Sequence, residues 1–262
     1  MKRLIGLSAF IGLFILSGCF DTVEETTIND DGSGKIVSSI DMGKMFSALA
    51  AMGGDEKMKE AEKVNVDTTI FMKNIKDSVK SLTDVEKKLL EKGTAHLIMN
   101  IKEEKFSVSF TIPFSKLSDI PAVHEALKKS NGKIMENMMS KVIPEEEKGK
   151  GDMDMDGMGE KDGTPDLSGY FQTSYEKNKM SKKVNKEKFA KVDEDQSLKS
   201  LKEMGQMGMP VNFKTVINLP KPAKKANGKG ITLSDDKKTV IIEGTLDDFF
   251  EDPSKFEYEI EY

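Results

Sequence analysis

The chain has 262 residues, and 45 acidic against 40 basic side chains give it a formal net charge of -5 at pH 7. An acidic chain is repelled by phosphate-rich partners, so the composition argues against nucleic acid as a ligand. A single cysteine excludes disulfides and four-cysteine zinc sites within one chain, and the 37% of hydrophobic residues must therefore build an ordinary apolar core.

The first residues have the three-part arrangement of a secretory signal. Lys2 and Arg3 supply the positive charge, and residues 4–16 form an almost uninterrupted apolar run. A helix that spans a bilayer needs about 20 apolar residues, and this run is shorter. We therefore interpret residues 1–18 as a signal peptide that is removed.

The leader ends in Leu16, Ser17, Gly18 and Cys19, an order that resembles the lipobox of bacterial lipoproteins. The resemblance implies cleavage before Cys19 and acylation of that residue with chains such as palmitate. The alternative is an ordinary signal peptide with a chance cysteine, but Leu16 does not fit its small-residue cleavage pattern. We expect a membrane-anchored lipoprotein of the cell envelope, in the outer membrane or facing the periplasm, with the lipid on Cys19.

Residues 19–143 predict an α+β lobe. Extended patterns at 22–29 and 35–41 flank turn residues and indicate a β-hairpin, and 66–71 resembles a further strand. Thr83 and Glu86 have capping-box spacing at the start of a helix. The clearest hairpin pairs a strand with Leu97 and Met99 on one face with a strand that alternates from Phe106 to Ile112. A helix then follows up to Val142, and we expect it to break at Asn131 and Gly132.

Residues 144–167 change abruptly to Glu, Lys, Gly, Asp and Met, which predicts an acidic linker. Within it, Asp152, Asp154 and Asp156 before a glycine imitate the opening of an EF-hand loop, with Glu160 as a further oxygen ligand. Gly163 stands where that loop needs its bidentate glutamate. In a second interpretation, Met153, Met155 and Met158 bind Cu(I) through their thioether sulfurs. The third is a flexible linker without metal, as low-complexity polar segments rarely fold.

Residues 168–262 predict a second α+β lobe, with strands at 170–175, 211–219, 229–233 and 239–243 and a long amphipathic helix at 186–204. A short helical turn at 246–250 precedes a final strand, in which Phe256, Tyr258, Ile260 and Tyr262 share one face. Methionines at 204, 207 and 209 approach the second strand between glycines. They suit adaptable core packing or, as an alternative, contact with an apolar peptide or lipid.

The last quarter of the chain also resembles a domain of bacterial membrane-associated lipoproteins of the LppM type. The resemblance rests on a strand ending in Leu219 and Pro220, a turn containing Asn227 and Gly228, and an opposing strand at 238–240. It implies an envelope role and supplies no catalytic residues. Such domains often continue into a C-terminal membrane helix, which this sequence lacks, so we expect Cys19 to be the anchor.

The sequence offers few groups for catalysis. By strand parity His96 faces away from Leu97, and His124 lies on a helix beside Val123, so we expect both histidines to be structural. No G-x-S-x-G, G-x-G-x-x-G, P-loop or H-E-x-x-H is present, and we expect no cofactor. The many carboxylates leave a two-carboxylate hydrolase as the weakest alternative.

Together these patterns predict an α+β protein in two lobes, built from antiparallel hairpins with helices packed on one face. We expect the protein to be a binding or assembly module and not an enzyme. Such a module would hold an envelope protein or a lipid on its sheets or between its lobes. Binding of a divalent or soft metal at 152–160 is the alternative.

Overall fold

The computed structural model describes residues 20–45, 47, 65–142 and 167–262. Twelve strands in two sheets and several helices give these residues an α+β fold, which confirms the expected class. The strands are β1 Phe20–Ile28, β2 Gly34–Asp41, β3 Asn65–Phe71, β4 Thr94–Asn100, β5 Lys105–Phe114, β6 Phe171–Glu176, β7 Lys179–Val184, β8 Val211–Asn218, β9 Lys225–Asn227, β10 Ile231–Leu233, β11 Thr239–Thr245 and β12 Tyr258–Glu261. The α-helices are α1 Asp84–Leu90, α2 Ile120–Val142, α3 Lys186–Phe189, α4 Gln196–Gln206 and α5 Leu246–Glu251.

The main sheet has eight strands in the order β10-β11-β8-β1-β2-β5-β4-β3. All neighbours are antiparallel except β1 and β8, which run parallel with Phe20 opposite Val211 and Thr27 opposite Asn218. Because β1 belongs to the first part of the described chain and β8 to the last, residues 20–142 and 167–262 both contribute strands to one sheet.

The small sheet has four strands in the order β6-β7-β12-β9. Its outer face is polar and carries ion pairs from Glu259 to Lys225, at 3.1 Å, and to Lys179, at 3.5 Å. Its inner face is largely apolar, with Met180, Ile260 and Phe171 buried. The final strand β12 lies inside this sheet, and Tyr258, Ile260 and Tyr262 are buried as their alternation predicts.

The apolar side of the main sheet, here called the inner face, is covered by two different layers. Over β3 and β5 lie α1 and α2, whose buried side chains include Leu90, Val123 and Met138. Over β8 and β11 lie the small sheet and its flanking helical turns, joined to the main sheet through aromatic rings. The centre of the Phe256 ring is 6.3 Å from the ring centre of Phe213 on β8 and 6.4 Å from that of Phe171 on β6.

Several local predictions hold for clear physical reasons. The hairpin of β1 and β2 turns at Gly32, which has a φ of +83°. Glycine adopts this conformation without steric strain because it has no Cβ. At the start of α1, the Thr83 side chain accepts a hydrogen bond from the Glu86 amide. The Glu86 carboxylate in turn accepts a hydrogen bond from the Thr83 amide, at 2.7 Å, so the predicted capping box is confirmed.

The helix α2 does not break at Asn131 and Gly132, contrary to the prediction. A glycine inside a helix costs about 1 kcal/mol relative to alanine. Beyond it, Ile134 and Met138 are completely buried, and each fully buried large apolar side chain contributes about 1.5–3 kcal/mol. The burial gain outweighs the glycine cost, and the helix continues.

The expected helix at 186–204 is in fact two helices, α3 and α4, with a 3-10 turn between them. Asp195 precedes α4 and accepts a hydrogen bond from the Leu198 amide at 3.2 Å, the position of an N-terminal capping carboxylate. The strand β7 was not predicted, because Lys179, Ser181 and Lys183 face outward and give the segment a polar composition. It pairs with β6 across a turn at Asn178, which has a φ of +61°.

Two predicted regions lie outside the described residues: the signal peptide at 1–18 with Cys19, and the linker at 144–166. Leu167, which the expected linker included, belongs to the folded part. It is buried and opens a 3-10 turn that leads into β6.

Candidate functional site

A cavity of about 660 Å³ lies where the three layers of the fold meet. The inner face of the main sheet forms its base, α2 forms one wall, and the small sheet with the start of α4 forms the opposite wall. Ligand sites in proteins commonly occupy about 300–1,000 Å³. Its apolar lining includes Ile40, Phe110, Leu127, Leu167, Phe171, Leu198, Phe213 and Phe256.

The base of the cavity carries a glutamate on a strand face that is otherwise buried or partly buried. Even-numbered residues of β1 point to the inner face, and Phe20, Thr26 and Ile28 of this set are buried. Glu24 occupies the middle of the same series, opposite Ser38 on β2 and Thr215 on β8. The pleat of a central strand therefore places a carboxylate inside the molecule.

Glu24 is paired with His124, which α2 brings over the sheet. The Nε2 atom of His124 is 3.2 Å from Oε2 of Glu24. The side chains are 35% exposed for Glu24 and 20% exposed for His124, and both line the cavity. The pair is thus enclosed by three layers and still open to a molecule in the cavity.

The surroundings hold Glu24 in its ionised form. Burial acts to raise the pKa of this carboxyl, but the charge and hydrogen bond of His124 and the charge of Lys182 outweigh it and lower the pKa from 4.5 to about 2. Lys182 comes from β7, and its Nζ lies 4.4 Å from the centre of the Phe171 ring. Glu24, His124 and Lys182 thus come from three different layers of the fold.

Two tyrosines of the small sheet complete the polar side of the cavity. Tyr175 on β6 and Tyr258 on β12 are hydrogen-bonded to one another, and both line the cavity. Burial first and the charge of Glu24 next raise the pKa of Tyr175, while burial, Tyr175 and Glu24 raise that of Tyr258. Both hydroxyls therefore stay protonated and can donate hydrogen bonds.

One buried hydroxyl at the base has no partner. Oγ1 of Thr22, two residues before Glu24 on the inner face, makes no hydrogen bond among the described residues. A buried polar atom without a partner costs the fold about 1–3 kcal/mol.

The residues singled out from the sequence lie elsewhere, with one exception. Cys19, the candidate metal ligands Asp152, Asp154, Asp156 and Glu160, and the methionines among them are outside the described residues. Within residues 20–45, 47, 65–142 and 167–262, no three His, Cys, Asp or Glu side chains are grouped to hold a metal. His96 faces outward on β4, where its Nε2 is 2.6 Å from Asp67, as expected for a surface position. His124, expected to be structural, faces the cavity.

One feature of the sequence indicates this site, namely the position of two charged residues within their strands. Glu24 and Lys182 have the same parity as the buried residues of their strands, Thr26 with Ile28 and Met180 respectively. A charged residue at an inward position of a strand is uncommon because burying a charge is costly without a partner. That parity identifies each residue separately, but only the tertiary fold brings them together.

No known family profile matches the chain, and no curated protein matches it. Among solved structures, the NMR structure of the folded domain of LppM from Mycobacterium tuberculosis aligns with 96% of this chain and 94% of that chain, with 9% sequence identity and a TM-score of 0.32. This is a distant resemblance in fold. In the described parts of the chain, no helix combines the length and apolarity that crossing a bilayer requires.

Proposed function

We propose that this protein is a lipid-anchored, non-catalytic binding protein of the bacterial cell envelope, and that the cavity beside Glu24 and His124 holds a small amphipathic ligand. The observation that carries the proposal is the 660 Å³ cavity itself, which combines apolar and polar lining residues, among them a charge-compensated carboxylate and a buried hydroxyl without a partner. Such a mixed lining suits a ligand that has both an apolar and a polar part.

The distribution of side chains indicates how such a ligand would lie. Its polar end would face Thr22 and Glu24, where hydrogen-bonding groups are concentrated. Its apolar part would lie against Phe110, Phe171 and Phe213. Polar groups fix orientation in sites of this kind, and the burial of apolar surface supplies most of the affinity.

The low pKa of Glu24 makes this residue unsuited to the general-acid role in carboxylate catalysis. A glycosidase needs one carboxylic acid with a raised pKa to protonate the leaving group. Glu24 has the opposite shift, to about 2, because His124 and Lys182 compensate its charge. A carboxylate of such low basicity is also a weak general base near neutral pH.

Filling the cavity should weaken binding without unfolding the protein. Ser38 and Ser39 are neighbours on β2 with opposite orientation, since Ser38 lines the cavity and Ser39 does not. Titration with 1-anilinonaphthalene-8-sulfonate, an amphipathic fluorescent probe, should show saturable binding to wild type and to Ser39→Leu. We expect Ser38→Leu to raise the probe's Kd by about tenfold or more. A tenfold increase corresponds to a loss of about 1.4 kcal/mol of binding free energy.

Melting temperatures of the two variants show whether each is folded. Equal probe affinity in wild type and in a folded Ser38→Leu protein would contradict the proposed site. If Ser38→Leu does not fold, Thr215→Val, which removes a hydroxyl from the same base, provides the second comparison with wild type.

The anchor is tested separately. Mass spectrometry of the protein purified from membranes should show Cys19 as the first residue, carrying diacylglycerol on its sulfur. The variant Cys19→Ser should move from the membrane to the soluble fraction. An unmodified Cys19, or unchanged fractionation of the variant, would refute the lipid anchor and leave the cavity proposal intact.

A further inference from the structure

The anchor residue is directly bonded to the first residue of the central strand β1. Phe20 is buried and is the first residue of β1, and its amide donates to the Pro210 carbonyl at 3.4 Å. Consecutive Cα atoms are about 3.8 Å apart, so no flexible spacer separates Cys19 from the main sheet. An acylated Cys19 therefore holds one particular end of the sheet against the membrane. This step rests on the proposed lipid anchor.

The strand register identifies what else lies at that end. Because β1 and β8 are parallel with Phe20 opposite Val211, the chain that enters β8 arrives beside the anchor. This chain is the segment 205–210, here called the methionine loop. The opposite end of the sheet contains the last residue of β3, Phe71, which pairs with Thr94 at the start of β4.

The methionine loop has the composition of a membrane-contacting surface. Residues 204–213 include no charged side chain, although 32% of the whole chain is charged. Met207 is 69% exposed, the highest value among the three large hydrophobic side chains that are exposed in the described residues. Gly208 follows with a φ of +87°, which turns the chain so that Met209 packs against the core while Met207 points away.

We propose that the methionine loop inserts Met207 into the outer part of the bilayer that holds the acyl chains of Cys19. The covalent connection brings the loop to the lipid surface, and the uncharged composition lets it stay there without burying a charge. Methionine suits this contact because its flexible thioether side chain adapts to an irregular apolar environment. The folded body would then have a fixed orientation on the membrane instead of rotating freely about its anchor.

The chain allows a direct test, because Cys19 is its only cysteine and acylation consumes that thiol. Met207→Cys therefore gives the acylated protein one free thiol, which can carry an environment-sensitive fluorophore. The matched control is Val85→Cys on α1, because Val85 is 62% exposed and α1 lies between β3 and β4 at the opposite end of the sheet. Both labelled proteins are reconstituted into phosphatidylglycerol–phosphatidylethanolamine vesicles that contain lipids with a nitroxide quencher near the headgroup.

We expect the label at 207 to shift its emission to shorter wavelength and to be quenched, and the label at 85 to do neither. If both proteins float with the vesicles and the two labels are quenched equally or not at all, the proposed contact is wrong while the anchor stands. If the wild-type protein does not float with vesicles, the anchor fails and this inference fails with it. Binding of probe in the cavity is unaffected by either outcome.

Discussion

Glu24 shows how one inward position on a strand creates a site. The residue occupies a face on which Phe20, Thr26 and Ile28 are buried, and it remains charged there because His124 and Lys182 compensate it. Removing one partner of such a pair leaves an uncompensated charge, which costs more than the pair contributes. The geometry therefore links the charge state of the cavity to the stability of the fold.

The pKa of Glu24 leads to a prediction about acid stability. Its pKa falls from 4.5 to about 2 on folding, so the ionised form stabilises the native state at pH values above 4.5. That contribution is lost progressively as the pH falls from about 4.5 toward 2. We expect Glu24→Gln to lower the free energy of unfolding at neutral pH by about 1 kcal/mol, because a third of the side chain is exposed. In urea unfolding, the difference from wild type should shrink as the pH decreases through this window.

Glu243 is the matched control for this experiment. It lies on β11 with 32% exposure, close to the 35% of Glu24, and its Oε1 is 2.6 Å from Lys214 Nζ on the outer face. At neutral pH, Glu243→Gln should lower the free energy of unfolding less than Glu24→Gln does. A constant difference between wild type and Glu24→Gln from pH 6 to pH 3 would show that His124 and Lys182 do not hold Glu24 ionised.

At the level of elements, two glycines at the end of α4 differ only in backbone conformation. Gly205 lies inside the helix and Gly208 follows it with a φ of +87°, and a Cβ at either position would meet nothing within 4 Å. Gly205→Ala should stabilise the protein by about 0.4–1 kcal/mol because alanine restricts the unfolded chain. Gly208→Ala should destabilise it by about 1–2 kcal/mol because the left-handed conformation is unfavourable for alanine.

Thermal or urea unfolding of the two variants measures both effects. The available space is the same at the two positions, so a difference in sign isolates the backbone term. Equal effects of the two substitutions would mean that the turn after α4 does not need a glycine.

Hairpins and caps were the elements that the sequence predicted well. The alternation from Phe106 to Ile112 and the capping pair of Thr83 and Glu86 depend on neighbouring residues alone, and local physics decides them. The continuity of α2 past Gly132 depends on the burial of Ile134 and Met138 against the sheet, which no local pattern contains. The strand β7 escaped prediction for the same reason, since its outward lysines dominate its composition while Met180 is the residue that packs.

At the level of the whole molecule, the parallel pair of β1 and β8 joins the two halves of the chain. A cleavage site placed within residues 148–151 should therefore leave the two fragments associated after complete digestion, because the central pair of the main sheet holds them together. Size-exclusion chromatography in native buffer should show one peak at the size of the intact protein. Separate elution of the fragments would indicate two independent lobes.

The control is residues 168–262 produced alone. This fragment lacks β1, so one edge of β8 has no partner. We expect it to unfold without a cooperative transition. Cooperative unfolding of the isolated fragment would contradict the shared sheet.

The candidate site belongs to this same level, and that explains why the sequence did not predict it. Glu24, Lys182 and His124 come from three layers that meet only after the sheets and α2 have assembled. Charge and parity can mark Glu24 or Lys182 as unusual within a strand. They cannot show that the two face each other, because the contact depends on how β7 is placed over β1.

The pairing of β1 with β8 also has a consequence for how the protein is made. Asp21 and Asn212, hydrogen-bonded across this pair at 2.7 Å, are 191 residues apart, so the first strand to leave the ribosome waits for one that is synthesised late. Contacts this distant give a high contact order and slow folding. The central pair of the main sheet can therefore form only after the residues of β8 have been synthesised.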